Sequence, residues 1–332
     1  MSFTVFQVDP IESLMPYATE SAAIEKLGGK LVLGHCAGED DVLAQAQDAE
    51  IVLLSWKPWL TPRVMDGLPR CRLMVRWGVG YDMIDVGAAT ARGIAVANTP
   101  TYATEEVAEE TIALLMNCAR RVSWFHERLR AGGWPAGMSN PIYRIKGRTL
   151  GIIGLGRIGS AVAWRARGLG LNVIAYDNFL SDEQIRANQV DPRSLDRLLA
   201  ESDFVTVHVP LKADTRGMID ASVFARMKQG ALFFNTSRGP VVDEAALMDA
   251  LNSGKLAGAG LDVFAREPLP GDHPLRQMEH VVLLPHKAAY SQQSWLAMRQ
   301  EIVDTIGEWM RDSWAASVVN PEVRPSLRAR AG

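Results

Sequence analysis

Short apolar runs alternate with amphipathic stretches of helix length along almost the whole chain. Thr4–Val8, Lys30–Leu33, Ile51–Trp56, Arg72–Arg76 and Ile94–Ala97 read as strands, with Glu12–Lys26 and Asp40–Ala49 long enough for helices between them. Strands separated by helices are the rhythm of a parallel sheet wrapped on both faces, so the first hundred or so residues predict one α/β unit. From Thr104 to Leu129, the apolar residues Val107, Ile112, Leu115, Ala119, Val122 and Phe125 recur at helical spacing. They predict one long helix with Thr104 as its N-cap, Pro100 upstream and Gly132-Gly133 downstream. A second series follows: Thr149–Ile153, Asn172–Tyr176, Phe204–Val209, Ala231–Asn235, Ala257–Leu261 and Val281–Leu284, the rhythm of a doubly wound sheet. Gln292–Arg311 predicts a closing helix.

Composition bounds the picture without deciding it. At about 150 residues per domain, 332 residues predict two domains. With 48% hydrophobic and 22% charged residues, the chain is neither disordered nor collagen-like. Thirty-five basic against 38 acidic residues give a net charge of −3, which argues against nucleic-acid binding through a broad basic surface. Cys36, Cys71 and Cys118 are odd in number and lie far apart, without C-x-x-C spacing. They predict reduced thiols with no metal site. Met1–Pro10 lacks the basic and apolar regions of a signal peptide, and no apolar run nears the roughly 20 residues of a membrane helix. A cytoplasmic protein without membrane partners is expected.

The strand at Thr149–Ile153 runs into Gly154-Leu155-Gly156-Arg157-Ile158-Gly159, a G-x-G-x-x-G before a helical stretch at Ala161–Leu169. Gly154 permits the tight turn, Gly156 admits a pyrophosphate to the backbone, and Gly159 lets helix and strand approach. The N–H groups around Arg157 and Ile158 then face the phosphates. The next strand ends at Asp177, whose carboxylate suits the adenosine ribose hydroxyls and repels a 2′-phosphate. Asn178 and Phe179 follow, with no arginine beside them. The cofactor expected is NAD (NADH), in preference to NADP.

Three segments further on close predicted strands, where open α/β sheets place their ligands. They are Asn235-Thr236-Ser237-Arg238-Gly239, Gly260-Leu261-Asp262-Val263-Phe264 leading to Glu267-Pro268, and Pro285-His286-Lys287-Ala288-Ala289. With Gly78-Val79-Gly80-Tyr81-Asp82 and Asn98-Thr99-Pro100, the chain resembles the D-isomer-specific 2-hydroxyacid dehydrogenase family along nearly its whole length. The resemblance implies two doubly wound parallel-sheet domains, a Rossmann NAD-binding domain (101–289) inserted in a flavodoxin-like substrate domain (1–100 plus 290–332). It implies hinges near Pro100 and Tyr290. It also implies hydride transfer between the nicotinamide and C2 of a small anionic 2-hydroxy or 2-oxo acid.

In that reading Arg238 holds the substrate carboxylate, His286 is the acid–base group, and Glu267 orients His286 and favours its protonated form. Asp262 orients the nicotinamide carboxamide. Thr236, Ser237 and Ala288 lie at the same end of the cofactor, and Val207, His208, Val209, Pro210 and Thr215 lie along the adenosine. Arg76, Trp77, Gly78 and Val79 would face the substrate carboxylate, through backbone N–H groups and the Arg76 guanidinium. Trp77 suggests a narrow or apolar pocket, and Lys287 either adds positive charge or points to solvent. The family also implies a homodimer through the long helix and the arm from Trp134 to Tyr143. Stretches such as Arg120-Arg121-Val122-Ser123-Trp124 resemble the C-terminal-binding-protein corepressors, which raises an NAD-sensing scaffold as the alternative. Ala289 stands where that branch carries an aromatic residue. Glyoxylate, hydroxypyruvate and 3-phosphoglycerate all remain open as substrates.

Overall fold

Ile51–Leu54 and Leu73–Arg76 are buried at every position, as strands covered by helices on both faces must be. The computed structural model describes residues 2–11, 16–135, 141–312 and 314–327. The chain divides into two units, Met1–Ala103 with Ser291–Gly332, and Thr104–Tyr290.

The first unit is built from β1 (Phe3–Gln7), α1 (Ala18–Lys26), β2 (Gly29–Leu33), α2 (Glu39–Gln45), β3 (Ile51–Leu54), α3 (Pro62–Asp66), β4 (Leu73–Arg76), α4 (Val86–Ala91) and β5 (Ala95–Ala97). Its strands are all parallel, in the order β2-β1-β3-β4-β5. Successive strand residues face opposite sides, and the core divides accordingly. Phe6, Val52, Leu54, Met74 and Val96 enter one cluster, while Val5, Leu53, Val75 and Ala97 enter the other. The predicted helix start at Glu12 lies outside the described residues, and α1 begins at Ala18.

The second unit comprises α5 (Thr104–Arg120), α6 (Val122–Arg130), β6 (Thr149–Ile153), α7 (Arg157–Gly168), β7 (Asn172–Tyr176), α8 (Asp182–Ala187), β8 (Asp191–Pro192), α9 (Leu195–Glu201), β9 (Phe204–Val207), α10 (Ala221–Arg226), β10 (Ala231–Asn235), α11 (Glu244–Asn252), β11 (Leu256–Leu261) and β12 (Val281–Leu283). Seven parallel strands lie in the order β12-β11-β10-β9-β6-β7-β8. The chain runs outward from β6 in one direction and then returns to β9 on its other side, which makes the end of β6 the switch point of the sheet. The last helix, α12 (Gln292–Asp312), belongs to the first unit, where Met298, Ile302, Ile306 and Trp309 join the cluster of Val5 and Val75.

Three expectations need correction. The helix predicted over Thr104–Leu129 is two helices, broken at Arg121, which is left-handed with φ 55°. Asn117 takes the Ser123 N–H at 2.8 Å and donates to the Ser123 hydroxyl at 2.6 Å, so a side chain competes with the helical ladder there. The helix also opens at Thr104 itself, so Thr104 is not its N-cap. The second sheet has a seventh strand, β8, whose two residues are too few to form a pattern.

Candidate active site

The candidate residues of the second unit lie at the C-terminal ends of strands or in the segments that follow them. The turn after β6 is set by Gly154 at φ 93°, where a Cβ would press within about 3.1 Å of the His208–Val209 backbone. A Cβ at Gly159 would overlap the Gly154 carbonyl, so the helix lies as close to the strand as a bare backbone permits. Gly156 faces open space, and no side chain caps the start of α7. The first turn of that helix thus presents uncapped N–H groups to a space that a phosphate can enter. These residues fit the pyrophosphate of a dinucleotide.

Asp177, at the end of β7, is already engaged. One oxygen accepts the Leu155 N–H at 2.8 Å, and the other accepts Phe179 N–H at 2.8 Å and Leu180 N–H at 3.2 Å. A carboxylate offers about four acceptor sites, so the expected grip on two ribose hydroxyls must share oxygens already in use. Beyond β9, His208 accepts or donates at 3.0 Å to the Thr206 hydroxyl, and burial pushes its imidazole down to about 4. Val207 closes the strand. Val209, Pro210 and Thr215 form the loop beside Gly154, with the Thr215 hydroxyl donating to Pro210 O at 2.6 Å. Lys212 of the same loop stands 5.7 Å from the centroid of Phe179, a contact the sequence did not reveal.

At the end of β10, Asn235 folds its loop: its side-chain oxygen accepts Ser237 N–H and hydroxyl, both at 2.9 Å, and its amide donates to Arg238 O at 3.0 Å. Thr236 is fastened to α5 through the Thr111 hydroxyl at 2.9 Å. Arg238 donates to Ser237 O at 2.8 Å, and its charge is felt at Glu267.

His286 Nδ1 and Glu267 Oε2 are 2.6 Å apart, and the other Glu267 oxygen accepts Phe264 N–H at 3.0 Å. Burial pushes the Glu267 carboxyl up, but the His286 bond and charge, the Phe264 N–H and Arg238 outweigh it and hold the group below its usual range. Since Glu267 can only accept, Nδ1 carries the proton of this bond and Nε2 is left to exchange one. His286 is left-handed, with φ 53°. Asp262, itself buried, holds that conformation: its oxygens accept Lys287 N–H at 2.8 Å and Ala288 N–H at 2.9 Å. Burial pushes its carboxyl up, against those two bonds. Lys287 is exposed, with its ammonium 5.8 Å from the Tyr290 ring centroid. Two more groups escaped the sequence reading, Glu244 and His273, which meet at 3.1 Å behind this site.

In the first unit, the loop after β4 corrects two expectations. Trp77 is 3% exposed and packs edge-on against Tyr17, so it is a core side chain and not a pocket wall. Strand alternation carries the signal, because Leu73, Val75 and Trp77 share one face. The N–H groups of Trp77 and Gly78 are already used, on Leu54 O of β3 at 2.9 Å and on Arg76 O at 3.0 Å. The Gly78 carbonyl accepts Thr99 N–H at 3.2 Å and the Val79 carbonyl accepts the Asn98 amide at 2.6 Å. In trans peptides these bonds turn the Val79 and Gly80 N–H groups the other way. Arg76 is buried, donates to Trp77 O, and lies 5.4 Å from the Trp56 ring centroid.

Among the described residues, no helix is long and apolar enough to cross a membrane, and no His, Cys, Asp or Glu cluster could hold a metal ion. The family described as D-isomer specific 2-hydroxyacid dehydrogenase, NAD binding domain, matches residues 112–288. A glyoxylate reductase from Korarchaeum cryptofilum is 41% identical over 285 residues, covering 85% of this chain and 86% of that protein. The D-3-phosphoglycerate dehydrogenase of Mycobacterium tuberculosis is 37% identical over 295 residues, 87% of this chain, but the chain spans only 56% of its length. Among solved structures, the NADPH-dependent glyoxylate/hydroxypyruvate reductase of Sinorhizobium meliloti, in complex with NADP and malonate, is 31% identical with a TM-score of 0.84 and covers 99% of both chains. The chain belongs to the D-isomer specific 2-hydroxyacid dehydrogenases.

Proposed function

We propose that the protein reduces a small 2-oxo acid to its D-2-hydroxy acid with NADH, and that His286, Glu267 and Arg238 carry the chemistry. The observation behind this reading is the 2.6 Å pair of His286 and Glu267, set at a strand end in the same unit as the uncapped glycine turn. A bound nicotinamide cofactor supplies the hydride. Arg238 grips the substrate carboxylate with its planar fork of donors. His286 Nε2 gives its proton to the carbonyl oxygen as charge develops there, and Glu267 stabilises the imidazolium that makes the donation possible. In the oxidative direction the same nitrogen takes the proton back.

One feature of the first unit supports a substrate-facing loop: the Val79 and Gly80 N–H groups point away from the Thr99 and Asn98 donors that hold their peptides' carbonyls, whereas the buried Arg76 guanidinium is engaged with Trp77 O. Asp177 supports NAD over NADP, because a 2′-phosphate would meet a carboxylate. The protein acts, in this reading, as a cytoplasmic homodimer. Val122, Leu129, Trp134, Tyr143 and Trp164 are large apolar side chains exposed on the second unit, and α6 buries none of its residues. Residues 136–140 of the arm lie outside the described residues. Cys36, Cys71 and Cys118 form no disulfide, which fits a reducing compartment.

The test is NADH and NADPH consumption against a panel of 2-oxo acids with and without phosphate groups. Turnover of glyoxylate or hydroxypyruvate with NADH is expected. Tight NADH binding with no turnover on any member of the panel would overturn the enzyme reading in favour of a cofactor-sensing scaffold.

A further inference from the structure

Glu244 and His273 form a second histidine–carboxylate pair, and it is wired to the first. Glu244 stands in the first turn of α11, whose cap Asp243 accepts Ala245 and Ala246 N–H, both at 3.1 Å. One Glu244 oxygen lies 3.1 Å from His273 Nε2 and the other accepts Ala265 N–H at 3.1 Å. The two side chains are only 16% and 19% exposed. His273 Nδ1 accepts the Leu275 N–H at 3.4 Å, in the turn that follows it. An accepting Nδ1 makes Nε2 the protonated nitrogen of a neutral ring, so Nε2 donates to Glu244.

Ala265 sits in the short segment that carries Glu267. Its neighbour Phe264 gives its N–H to Glu267, which in turn holds His286. On the other side, a Cβ at Gly239 would overlap the Phe264–Ala265 peptide, so this peptide also packs against the backbone next to Arg238. A shift at Ala265 therefore reaches both the acid–base pair and the arginine.

We propose that Glu244 and His273 are positioning residues: together they pin Ala265, and so fix Glu267 and Arg238 for the proton transfer. The inference rests on the acid–base role proposed above for His286. Preorganised groups lose their effect when displaced by about 1 Å, which is the scale of movement that freeing one loop peptide allows.

The experiment follows kcat and KM for 2-oxo acid reduction across pH, and the Kd of NADH by fluorescence, in the full chain carrying Glu244→Ala, Glu244→Gln or His273→Leu. Glu244→Ala is expected to lower kcat/KM by about tenfold to a hundredfold, chiefly through kcat, with the Kd of NADH unchanged. Reduction needs the imidazolium as proton donor, so the rate has an alkaline limb. A looser Glu267 stabilises that cation less, and the alkaline limb should move to lower pH. Glu244→Gln keeps an oxygen for Ala265 N–H but turns its amide NH2 toward His273 Nε2–H, and should restore only part of the rate. His273→Leu should move the limb in the same direction by less.

A folded Glu244→Ala variant with wild-type kcat/KM, or one that loses rate with the limb unmoved, overturns the proposal. If that variant does not fold, an unmoved limb in His273→Leu does so. Wild-type activity in His286→Asn would instead overturn the underlying acid–base reading.

Discussion

Each unit ends a strand of its sheet with an aspartate that seizes backbone N–H groups, yet only one of these two clamps holds the histidine proposed above as the acid–base group. In the first unit, Asp9 beyond β1 accepts Ser55 N–H at 2.7 Å, Lys57 N–H at 3.0 Å and the Trp56 N–H between them. In the second, Asp262 beyond β11 accepts Lys287 and Ala288 N–H. Burial pushes both carboxyls up, so both clamps stand against the same desolvation. The loop that Asp9 fixes carries no histidine or carboxylate over Ser55–Lys57, whereas the loop that Asp262 fixes presents His286 in a left-handed conformation. The clamp is a general means of holding a strand exit still, and chemistry depends on which residue it holds.

The sharpest way to break this comparison is to remove what the second clamp delivers. His286→Asn should slow turnover by roughly 10²–10⁴, the usual worth of an acid–base group, while NADH still binds. Near-normal turnover would take His286 out of the reaction.

Next come the clamps themselves. Asp9→Ala and Asp262→Ala each leave backbone N–H groups unpaired and should each cost about 1–3 kcal/mol in denaturant melts. Asp262→Ala should also lower kcat by about a hundredfold, since His286 loses its placement. Asp9→Ala should leave the alkaline limb of the rate profile where it is. If Asp9→Ala moves the limb, the distinction between the two edges fails.

A smaller effect is expected at the cofactor. Asp177→Ala should narrow the proposed preference for NADH over NADPH by about tenfold, measured as the ratio of kcat/KM values. An unchanged ratio would assign the preference to another residue.

An effect confined to acid pH concerns His208, which the fold keeps neutral. Its pKa falls from an ordinary 6.5 to about 4, so between these values the unfolded chain binds more protons than the folded one. Stability from this group is fully present above about pH 6.5 and drains away as pH falls toward 4. Melting midpoints of His208→Gln should decline less over that interval than those of the wild type; parallel declines would show that the ring titrates normally in the fold.

How much of this was legible in the sequence depends on whether a constraint is local. The turn at Gly154–Gly159 was legible because a backbone approach that excludes Cβ leaves glycine at fixed spacing. The strands were legible because burial on both faces demands unbroken apolar runs, as in Ile51–Leu54. The break at Arg121 was not, since it turns on one side chain of α5 bonding beyond the helix end. His286 and Glu267 are 19 residues apart, and no spacing rule joins them; only resemblance to a family did so. Glu244, Ala265 and His273 had neither a spacing nor a motif to mark them, because their meeting depends on how β11, α11 and the loop between β11 and β12 pack.

Gly78, at φ 143°, is more than a permissive turn residue. A side chain there would occupy the volume in which the Arg76 guanidinium lies, beneath Trp56. The hydrogen at position 78 is thus one wall of a socket whose occupant is a cation. Any larger residue would displace that cation as well as straining the backbone, so mutating a position with no side chain would move a buried charge. Positions 76 and 78 are thus coupled through one side chain: once Arg76 is shortened, a residue at 78 should cost only its backbone strain, read as melting midpoints of the single and double variants.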